Sequence, residues 1–427
     1  MNRREFVSTS FPLALPLGLA AQTPGARNEA VERARQDAIE ILKPSSKHLE
    51  HGFQLHANSV VVESYGFSPR MAIDGDAMRA AMEAGASDAE IEDMREDMMM
   101  SRAVDSVAER EEYLGAWRAA GVTCVMQNAG EEGQDPMRLI KRLARFTYTT
   151  DMLGNFVSKA VTAGDVIEAK KRNRHCLMFT GNGVPLSQQW VSVPEELRYV
   201  RIFYQLGIRM MHVTYNRRNM LGDGCAEPAN AGLSDFGRAA VAEMNRVGVI
   251  VDVAHSGWQT SLEAAKASSK PMVASHSGCA ALNKHIRCKP DEVIRAIADT
   301  GGFIGICCIT SFLGRSHDIN AMLDHIDHAV KRFGADHVAI GTDVAYISRA
   351  SDAEYRKLPK GRHSRTRFES FWPPKALDVP ESRSMAWTNW PLFTVGMVQR
   401  GHSDADIQKI IGGNVLRVVR AAMGPRV

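Results

Sequence analysis

The sequence predicts an α/β fold, a (β/α)8 TIM barrel, and two observations lead to this prediction. From residue 59 onward, eight short apolar runs alternate with amphipathic helical runs. Apolar runs of this length are typical of parallel strands that are covered by helices on both faces. Eight units of strand and helix in one chain match a closed barrel. An open, doubly wound sheet is the alternative, but no GxGxxG motif follows the first predicted strand.

The predicted strands are 59–63, 122–127, 176–180, 210–215, 249–254, 272–275, 303–309 and 337–342. Helical patterns lie between them, and two of these carry clear end signals. The stretch "SDFGRAAVAEMNRVG" begins at the N-cap residue Ser234 and ends at Gly248. The stretch "KPDEVIRAIADTGG" has Pro290 at its start and glycines at its end.

Two segments interrupt the alternation. Residues 67–102 are charged, rich in methionine and helical in pattern, which predicts a helical insertion after strand one. Residues 345–382 are basic, contain proline and have no periodicity. They follow strand eight, so we expect a long loop over the barrel mouth that acts as a lid or an interface.

The composition narrows the class of protein. The chain has 427 residues, of which 44% are hydrophobic and 24% charged, with a formal net charge of +3. This composition is typical of a globular protein. The charges are spread along the chain, so we expect no nucleic-acid partner. Seven cysteines without a CxxC pair indicate buried thiols, although one or two disulfides stay open for an exported protein.

The N-terminus predicts export. Arg3 and Arg4 precede an apolar stretch over residues 6–21, and small residues follow it. The pattern of residues 1–26 resembles a twin-arginine signal for export to the periplasm or the extracellular space, and a disordered basic segment is the alternative. No later run approaches the roughly 18 apolar residues that a membrane span requires, so we expect a mature form without a span.

Candidate functional residues lie where predicted strands end. In a TIM barrel the active site lies at the carboxyl ends of the strands. "VDVAHSG" ends the fifth strand at His255, "VASHSG" ends the sixth at His276, and "AIGTD" ends the eighth at Asp343. Two imidazoles and one carboxylate suit Zn²⁺ or a similar borderline metal ion.

Several motifs resemble one family. They are "YQLGIRMMHVTYN", "GVIVDVAHSG", "MVASHSGCAALNKHIRCKPDEVIRAI", "GADHVAIGTD" and "IIGGNVLRVV". They resemble the membrane (renal) dipeptidase family of the amidohydrolase superfamily, over a domain of residues 45–427. The resemblance implies a (β/α)8 metallopeptidase that hydrolyses dipeptides with two bridged zinc ions. It also implies a homodimer, the frequent state of the family's members.

The resemblance assigns roles to four residues. His255 and His276 match the two histidines of one zinc ion. Arg287 matches the arginine that holds a substrate carboxylate or the tetrahedral intermediate, and Asp343 matches the aspartate that contacts metal and acts as general base. Metal-activated water would attack the peptide carbonyl, and Asp343 would carry its proton to the leaving amine.

The sequence departs from the family at other ligand positions. Where the family has His-x-Asp at the end of strand one, this chain has Tyr65 and Phe67. The bridging glutamate of strand three falls within Thr180–Gly181–Asn182, and the substrate-binding histidine of strand four falls on Tyr215, three residues after His212. We expect Arg287, Tyr215 and Asn182 to bind substrate.

The missing carboxylates predict one Zn²⁺ rather than two, held by His255 and His276 with or without Asp343. An empty site is the alternative, and Glu63, Glu131 and Glu132 are candidate replacement ligands. The leading functional hypothesis is a hydrolase of a dipeptide or small amide. A degenerate relative that binds or tailors a peptide-derived ligand is the second, and a single-metal hydrolase of another amide, such as an N-acyl amino acid, is the third.

Overall fold

A computed structural model describes residues 28–130, 135–359 and 379–423. Its sheet confirms the predicted TIM barrel. In the described residues eight parallel strands follow one another in chain order. They are β1 (Val62–Gly66), β2 (Cys124–Asn128), β3 (His175–Gly181), β4 (Ile208–His212), β5 (Ile250–Asp252), β6 (Val273–Cys279), β7 (Phe303–Ile306) and β8 (Val338–Ile340). Two short parallel strands, Val157–Lys159 and Cys288–Lys289, lie beside β3 and β6.

The barrel closes between β8 and β1 mainly through side chains. The Glu63 carboxylate of β1 accepts hydrogen bonds from the backbone N–H of Thr342, at 3.1 Å, and from its hydroxyl. It also accepts one from Nε1 of Trp387, at 2.7 Å. The backbone N–H of Asp343 donates to the carbonyl of Tyr65 at 3.4 Å. The first strand is therefore joined to the last strand and to the C-terminal region.

The helices cover the outside of the barrel. They are α1 (Glu29–Leu42), α2 (Ser46–Asn58), α3 (Gly75–Glu83), α4 (Asp88–Ser101), α5 (Val107–Ala120), α6 (Pro136–Met152), α7 (Ala163–Lys171), α8 (Val193–Leu206), α9 (Asp235–Val247), α10 (Trp258–Ala267), α11 (Asp291–Asp299), α12 (Thr310–Leu313), α13 (Ile319–Phe333), α14 (Ser351–Tyr355), α15 (Trp390–Gln399), α16 (Asp404–Gln408) and α17 (Asn414–Met423). The end signals of α9 are confirmed, since Ser234 caps its start and Gly248 ends it with a φ of 98°.

Two apolar layers hold the fold together. One fills the barrel interior and includes Val62, Met126, Met178 and Met210. The other lies between strands and helices and contains the fully buried Trp390. Side chains that alternate along each strand feed the two layers in turn, as expected for a covered parallel barrel.

The predicted insertion after β1 is present as α3 and α4. The carboxylate of Glu96 on α4 is buried and pairs with Arg142 at 2.9 Å and Arg145 at 3.1 Å, both on α6. The chain after β8 returns to this insertion, where Ile347 forms a β-bridge with Arg70. The first part of the predicted long loop therefore packs on the insertion, and residues 360–378 of that loop lie outside the described residues.

The N-terminal helix α1 precedes the predicted start of the domain at residue 45, yet it packs on the barrel. Ala38 is fully buried, and Asp37 pairs with Arg383 at 2.7 Å. The predicted export signal over residues 1–26 lies outside the described residues. Within the described ranges, none of the helices combines the length and apolar character that a membrane span needs. All seven cysteines are described and carry free thiols.

Candidate active site

Three neighbouring strands deliver a histidine to one end of the barrel. His212 ends β4, His255 follows β5 by three residues, and His276 lies within β6. Parallel strands of a barrel have their carboxyl ends at the same rim, so these side chains converge. All three histidines are buried, and one nitrogen from each lies within 4.8 Å of the others.

The two predicted histidines are in direct contact. Nε2 of His255 lies 2.9 Å from Nε2 of His276. Two nitrogens that share one zinc ion, each about 2.0–2.1 Å from it, lie about 3 Å apart. The spacing between the two rings is therefore the spacing that a shared ion requires.

The far nitrogen of each ring is already hydrogen-bonded. Nδ1 of His255 lies 2.7 Å from Oδ1 of Asn216, which can only accept a hydrogen bond. Nδ1 of His276 lies 2.9 Å from the Ser275 hydroxyl, whose own hydrogen goes to the carboxylate of Asp252. This network assigns the ring hydrogens to both Nδ1 atoms. In these tautomers both Nε2 atoms are available to one cation, whereas in another tautomer the 2.9 Å contact is a hydrogen bond between the two rings.

The surroundings keep both rings neutral. Burial holds the pKa of His255 and that of His276 well below the ordinary value, and the positive charge of Arg287 lowers both further. A neutral imidazole is the form that binds metal. The two rings therefore need no deprotonation before an ion enters.

His212 is the functional residue that the sequence analysis missed. Its side chain lies inside the barrel, two residues after Met210 of the interior layer. Neither ring nitrogen has a hydrogen-bond partner in the described part of the chain, although Nε2 lies 2.9 Å from Oδ2 of Asp252 without hydrogen-bond alignment. Its position on the inward-facing alternation of "RMMHVTY" is the signal that would have found it.

Asp252 is a fully buried carboxylate that connects two of the histidines. It accepts hydrogen bonds from the backbone of Ala254 at 2.9 Å and of Ser275 at 3.1 Å. Burial alone would raise the pKa of Asp252, but His212, the Ser275 hydroxyl and the Ala254 amide hold this pKa below its usual value. Asp252 is therefore an anion that faces His212 directly and reaches His276 through Ser275.

Two cations flank the histidines. Nε of Arg287 donates to the carbonyl of Ala254 at 3.3 Å, and Nη2 donates to the carbonyl of His276 at 3.2 Å. Nζ of Lys289 donates to the carbonyl of Ser256 at 2.6 Å, and burial lowers the pKa of Lys289 to about 8. Arg287 lies at the strand ends, in the place that its predicted contact with substrate requires.

Asp343 lies outside the converging group of histidine nitrogens, and its role as a metal ligand stays a prediction. In the described residues the group of converging ligand atoms contains His212 and does not contain Asp343. Asp343 lies in the turn after β8 with a φ of 58°. The ring of Tyr65 is stacked on His276, with centroids 3.8 Å apart, and fills the space beside that histidine on the β1 side. The partly buried Asp343 carboxylate remains near the rim, where its charge helps to raise the pKa of Tyr65.

The β1–β3 side of the rim is occupied by neutral groups. The Tyr65 hydroxyl donates to Oδ1 of Asn182 at 2.6 Å, and both residues are buried. Tyr65 also meets Phe67 edge to face, at 6.1 Å between centroids. Tyr215, from the β4 side, stacks on His255 at 4.1 Å. The predicted substrate residues Tyr215 and Asn182 therefore lie within the same site as the histidines.

The alternative carboxylate ligands do not join the histidines. Glu63 does not end strand one, since β1 continues to Gly66. Its carboxylate takes part in barrel closure, and burial raises the pKa of Glu63 to about 8. Glu131 and Glu132 lie outside the described residues.

A small cavity of about 60 Å³ lies next to Phe67. Gln127 lines it from the barrel, and Arg95 and Met99 line it from α4. Arg142 on α6 lies in its wall. None of the three converging histidines lines this cavity, and its volume is below the range of small-molecule sites.

The donor set fits one divalent ion. His255 and His276 present two buried imidazole nitrogens 2.9 Å apart, and one nitrogen of the buried His212 lies within 4.8 Å of them. Buried polar atoms normally have partners, so the Nδ1 atom of His212, which has none in the described residues, points to a missing ligand. Histidine nitrogens suit zinc and the neighbouring transition metals.

Comparisons with known proteins agree with the fold. An amidohydrolase from Pseudomonas aeruginosa superposes with a TM-score of 0.63 and 24% identity, over 88% of this chain and 99% of that one. The probable dipeptidase PvdM from Pseudomonas aeruginosa gives a TM-score of 0.62 and 18% identity, over 88% and 98%. At these identities the likeness concerns the fold, which is the amidohydrolase type of TIM barrel.

The family follows from the sequence match. The family model Membrane dipeptidase (Peptidase family M19) matches residues 55–359. The chain therefore belongs to the membrane dipeptidase family. Dipeptidase tcpJ of Claviceps purpurea is 30% identical over 226 residues, which are 52% of this chain and 46% of that protein. Dipeptidase verJ of Clonostachys rogersoniana is 30% identical over 224 residues, 52% of this chain and 50% of that protein. The matches span about half the length of these relatives.

Proposed function

We propose that this protein is a metal-dependent hydrolase that cleaves a dipeptide or a related small amide. The observation that carries the proposal is the pair of Nε2 atoms of His255 and His276, 2.9 Å apart with both lone pairs directed at one point. Membership of the membrane dipeptidase family supports the same chemistry. We propose Zn²⁺ as the ion, and one ion per chain.

His255 and His276 would hold the ion. When bound, a divalent ion polarises a carbonyl oxygen and lowers the pKa of water toward neutrality. The chain's own contribution at this point is to keep the two imidazoles neutral and oriented. Asn216 and Ser275 do this from the far side of the rings.

Arg287 would bind the anionic group of the substrate or of the transition state. Two of its nitrogens donate to the carbonyls of Ala254 and His276, which fixes the guanidinium beside the histidines. Its third nitrogen, Nη1, has no hydrogen-bond partner among the residues that the structure describes. A fixed guanidinium with a spare donor suits a carboxylate or an oxyanion.

Asp343 would act as general base and then as general acid. Its carboxylate would accept a proton from the attacking water and return this proton to the leaving amine as the C–N bond breaks. The turn after β8 holds it at the rim.

The substrate class follows from the site and the relatives. Arg287, fixed beside the histidines, suits the carboxylate of a small peptide. Two relatives that are 30% identical are named dipeptidases. A dipeptide would place its scissile carbonyl near the histidines and its carboxylate near Arg287.

The test combines metal content with a substrate panel. Protein purified without chelator should contain about one equivalent of zinc, and the double variant His255→Ala/His276→Ala should contain none. Chelation should lower the melting temperature of the wild type and leave that of the double variant unchanged, because only the wild type loses a bound ligand. Activity on dipeptides that tracks the zinc content would support the proposal. Zinc-loaded protein without activity on dipeptides or N-acyl amino acids would contradict it.

A second candidate function is binding or tailoring of a peptide-derived ligand without hydrolysis. The observation in its favour is the neutral pair Tyr65–Asn182 at the place of the family's carboxylate ligands. Ligand binding by the metal-free protein, with an affinity unchanged in the double variant, would favour this function. An N-acyl amino acid as the hydrolysed amide is the third candidate, and the substrate panel separates it from a dipeptide.

We also propose export through a twin-arginine signal, followed by assembly as a homodimer. Arg3, Arg4 and the apolar run over residues 6–21 support export. In cells that carry Arg3→Lys/Arg4→Lys, the protein should stay in the cytoplasm instead of reaching the periplasm. Fractionation of these cells measures the distribution. Light scattering of the purified chain measures the oligomeric state.

A further inference from the structure

The strongest unexplained feature of the site is His212. It is fully buried, with Nε2 2.9 Å from Oδ2 of Asp252 and Nδ1 without a hydrogen-bond partner in the described ranges of the chain. Ordinary buried histidines of this protein are satisfied at both nitrogens: His56 bonds Thr394 through Nδ1 and the carbonyl of Ala120 through Nε2, each at 2.9 Å. An imidazole nitrogen left without a partner in a barrel interior is unfavourable unless a ligand completes it.

The position of His212 suits such a ligand. Its ring centroid lies 5.2 Å from that of His255 and 5.4 Å from that of His276. Both angles between ring planes are near perpendicular, at 80° and 84°. One nitrogen of each ring lies within 4.8 Å of one nitrogen of the others, so the three rings surround a common point.

One carboxylate orients two of the three rings. Oδ2 of Asp252 lies 2.9 Å from Nε2 of His212, and the same carboxylate accepts the Ser275 hydroxyl that bonds His276. Metal-binding histidines commonly have a carboxylate or a hydroxyl behind them that sets the ring orientation. Asp252 would therefore be a positioning residue for the site.

The charges around the site oppose a second ion. Arg287 and Lys289 place two positive charges next to the histidines, where they bond the carbonyls of Ala254, His276 and Ser256. The opposite side of the rim holds Tyr65 and Asn182, which offer no anionic ligand to bridge two ions. Three histidine nitrogens with one further position for water or substrate form a common type of catalytic zinc site.

We propose that His212, His255 and His276 form a single three-histidine metal centre that Asp252 orients, and that this centre replaces a carboxylate-bridged pair of ions. The inference rests on the metal dependence in the proposed function, and it assigns the third ligand. Arg287, which bonds the carbonyls of Ala254 and His276, would favour an anionic or carbonyl oxygen beside such a centre. The preferred ions are Zn²⁺, Co²⁺ and their borderline neighbours.

The test measures affinity and ligand geometry without any assay of activity. Metal-free wild type and variants are titrated with Co²⁺, and visible absorption reports both binding and coordination number. The wild type should bind one ion with the spectrum of a site of four or five ligands. His212→Gln should weaken binding by more than about 100-fold and change the spectrum. His56→Gln is the matched control, an equally buried histidine that lies far from the ion, and it should keep the wild-type affinity.

Two further variants keep the inference falsifiable if His212→Gln folds poorly. Asp252→Asn should weaken binding by about 10–100-fold while one ion still binds, because it alters orientation and not a ligand. His212→Met should weaken Co²⁺ binding as His212→Gln does, and it should lower the thermal stability of the metal-free protein, because the buried Asp252 anion loses the imidazole beside it.

Each outcome decides a different point. Unchanged Co²⁺ affinity in His212→Gln would overturn the third ligand and leave the proposed hydrolase with His255 and His276. Two ions in the wild type would overturn the single centre. Failure of the wild type to bind either Co²⁺ or Zn²⁺ would overturn both the centre and the metal dependence of the proposed function.

Discussion

The two halves of the barrel rim differ in what they offer to a ligand. Strands β4 to β6 carry His212, His255 and His276, whose nitrogens converge. Strands β1 to β3 carry Tyr65 and Asn182, which bond to each other. Under the proposed function the first half would hold the ion, whereas the second half offers no carboxylate for one. A barrel could then lose one part of a metal site and keep the other, because each strand contributes its ligand independently.

Rebuilding the neutral half gives the largest expected change. The triple variant Tyr65→His/Phe67→Asp/Asn182→Glu restores the ligand types that the family resemblance implies. We expect zinc content to rise from about one to about two equivalents per chain, because carboxylates offset the repulsion between two ions. Elemental analysis measures this content. A content that stays at one would mean that the flanking cations Arg287 and Lys289, and not the missing carboxylates, exclude the second ion.

Loss of Arg287 should have the next largest effect, on the half that binds the ion. Arg287→Met should lower kcat/KM for the preferred dipeptide by about 10²–10³-fold, because a fixed donor to an anionic oxygen is removed. Zinc content should stay unchanged, since the guanidinium is not a ligand. Arg246→Met is the control, because Arg246 pairs with Glu243 on the exposed face of α9. Equal activity of the two variants would remove Arg287 from the substrate site.

The buried Glu63 should make stability depend on pH. Burial raises the pKa of Glu63 in the folded chain to about 8, whereas the unfolded chain retains the ordinary value of 4.5. Between these values the folded state binds more protons than the unfolded state, so stability falls as pH rises. We expect a slope of about 1.4 kcal/mol per pH unit from this group between its two pKa values.

Denaturant unfolding of wild type and Glu63→Gln at several pH values measures this slope. The variant should show a flatter dependence in the same range. Glu168→Gln, at an exposed residue of α7, should follow the wild type. Parallel curves for wild type and Glu63→Gln would show that Glu63 stays ionised in the fold.

The smallest effect is expected at the hydroxyl of Tyr65. Tyr65→Phe removes the 2.6 Å hydrogen bond to Asn182 and leaves a buried amide oxygen without that partner. We expect a loss of about 1–2 kcal/mol in the free energy of unfolding, with zinc content unchanged. Tyr148→Phe, at an exposed position on α6, should be neutral. A fall in zinc content in Tyr65→Phe would show that the neutral half also contributes to the ion.

The sequence was sufficient for the barrel because its strands are covered on both faces and appear as apolar runs. The predicted ends of β1 and β6 come too early, because these two strands continue through polar residues. β1 extends to Gly66 through Glu63, Ser64 and Tyr65, and β6 extends to Cys279 through the polar stretch around His276. Polar side chains inside a strand have partners across the barrel, and a local pattern does not reveal these partners.

The same limit of local sequence patterns determines which residues of the candidate site could be predicted. His255 and His276 follow apolar runs, so the pattern placed them at the rim. His212 ends β4 in the structure but lies inside the predicted strand 210–215, and the family resemblance points to Tyr215 instead. Asp252 lies 23 positions before Ser275, which contacts His276. Only the register of β5 against β6 brings these residues together. Asp343 is predicted as a ligand because it ends a predicted strand. The sequence does not show that the ring of Tyr65 lies beside His276 on that side of the site.

The closure of the barrel also determines the order in which the chain can fold. Glu63 joins Thr342 and Trp387, which follow it by 279 and 324 residues. A growing chain therefore exposes the open edge of β1 until almost all of the protein has been synthesised, and contacts this distant in sequence form slowly. Unpaired strand edges invite association with other chains. Chains that stop before Thr342 should accumulate as aggregates, and a chaperone that covers β1 during synthesis would raise the yield of the complete protein.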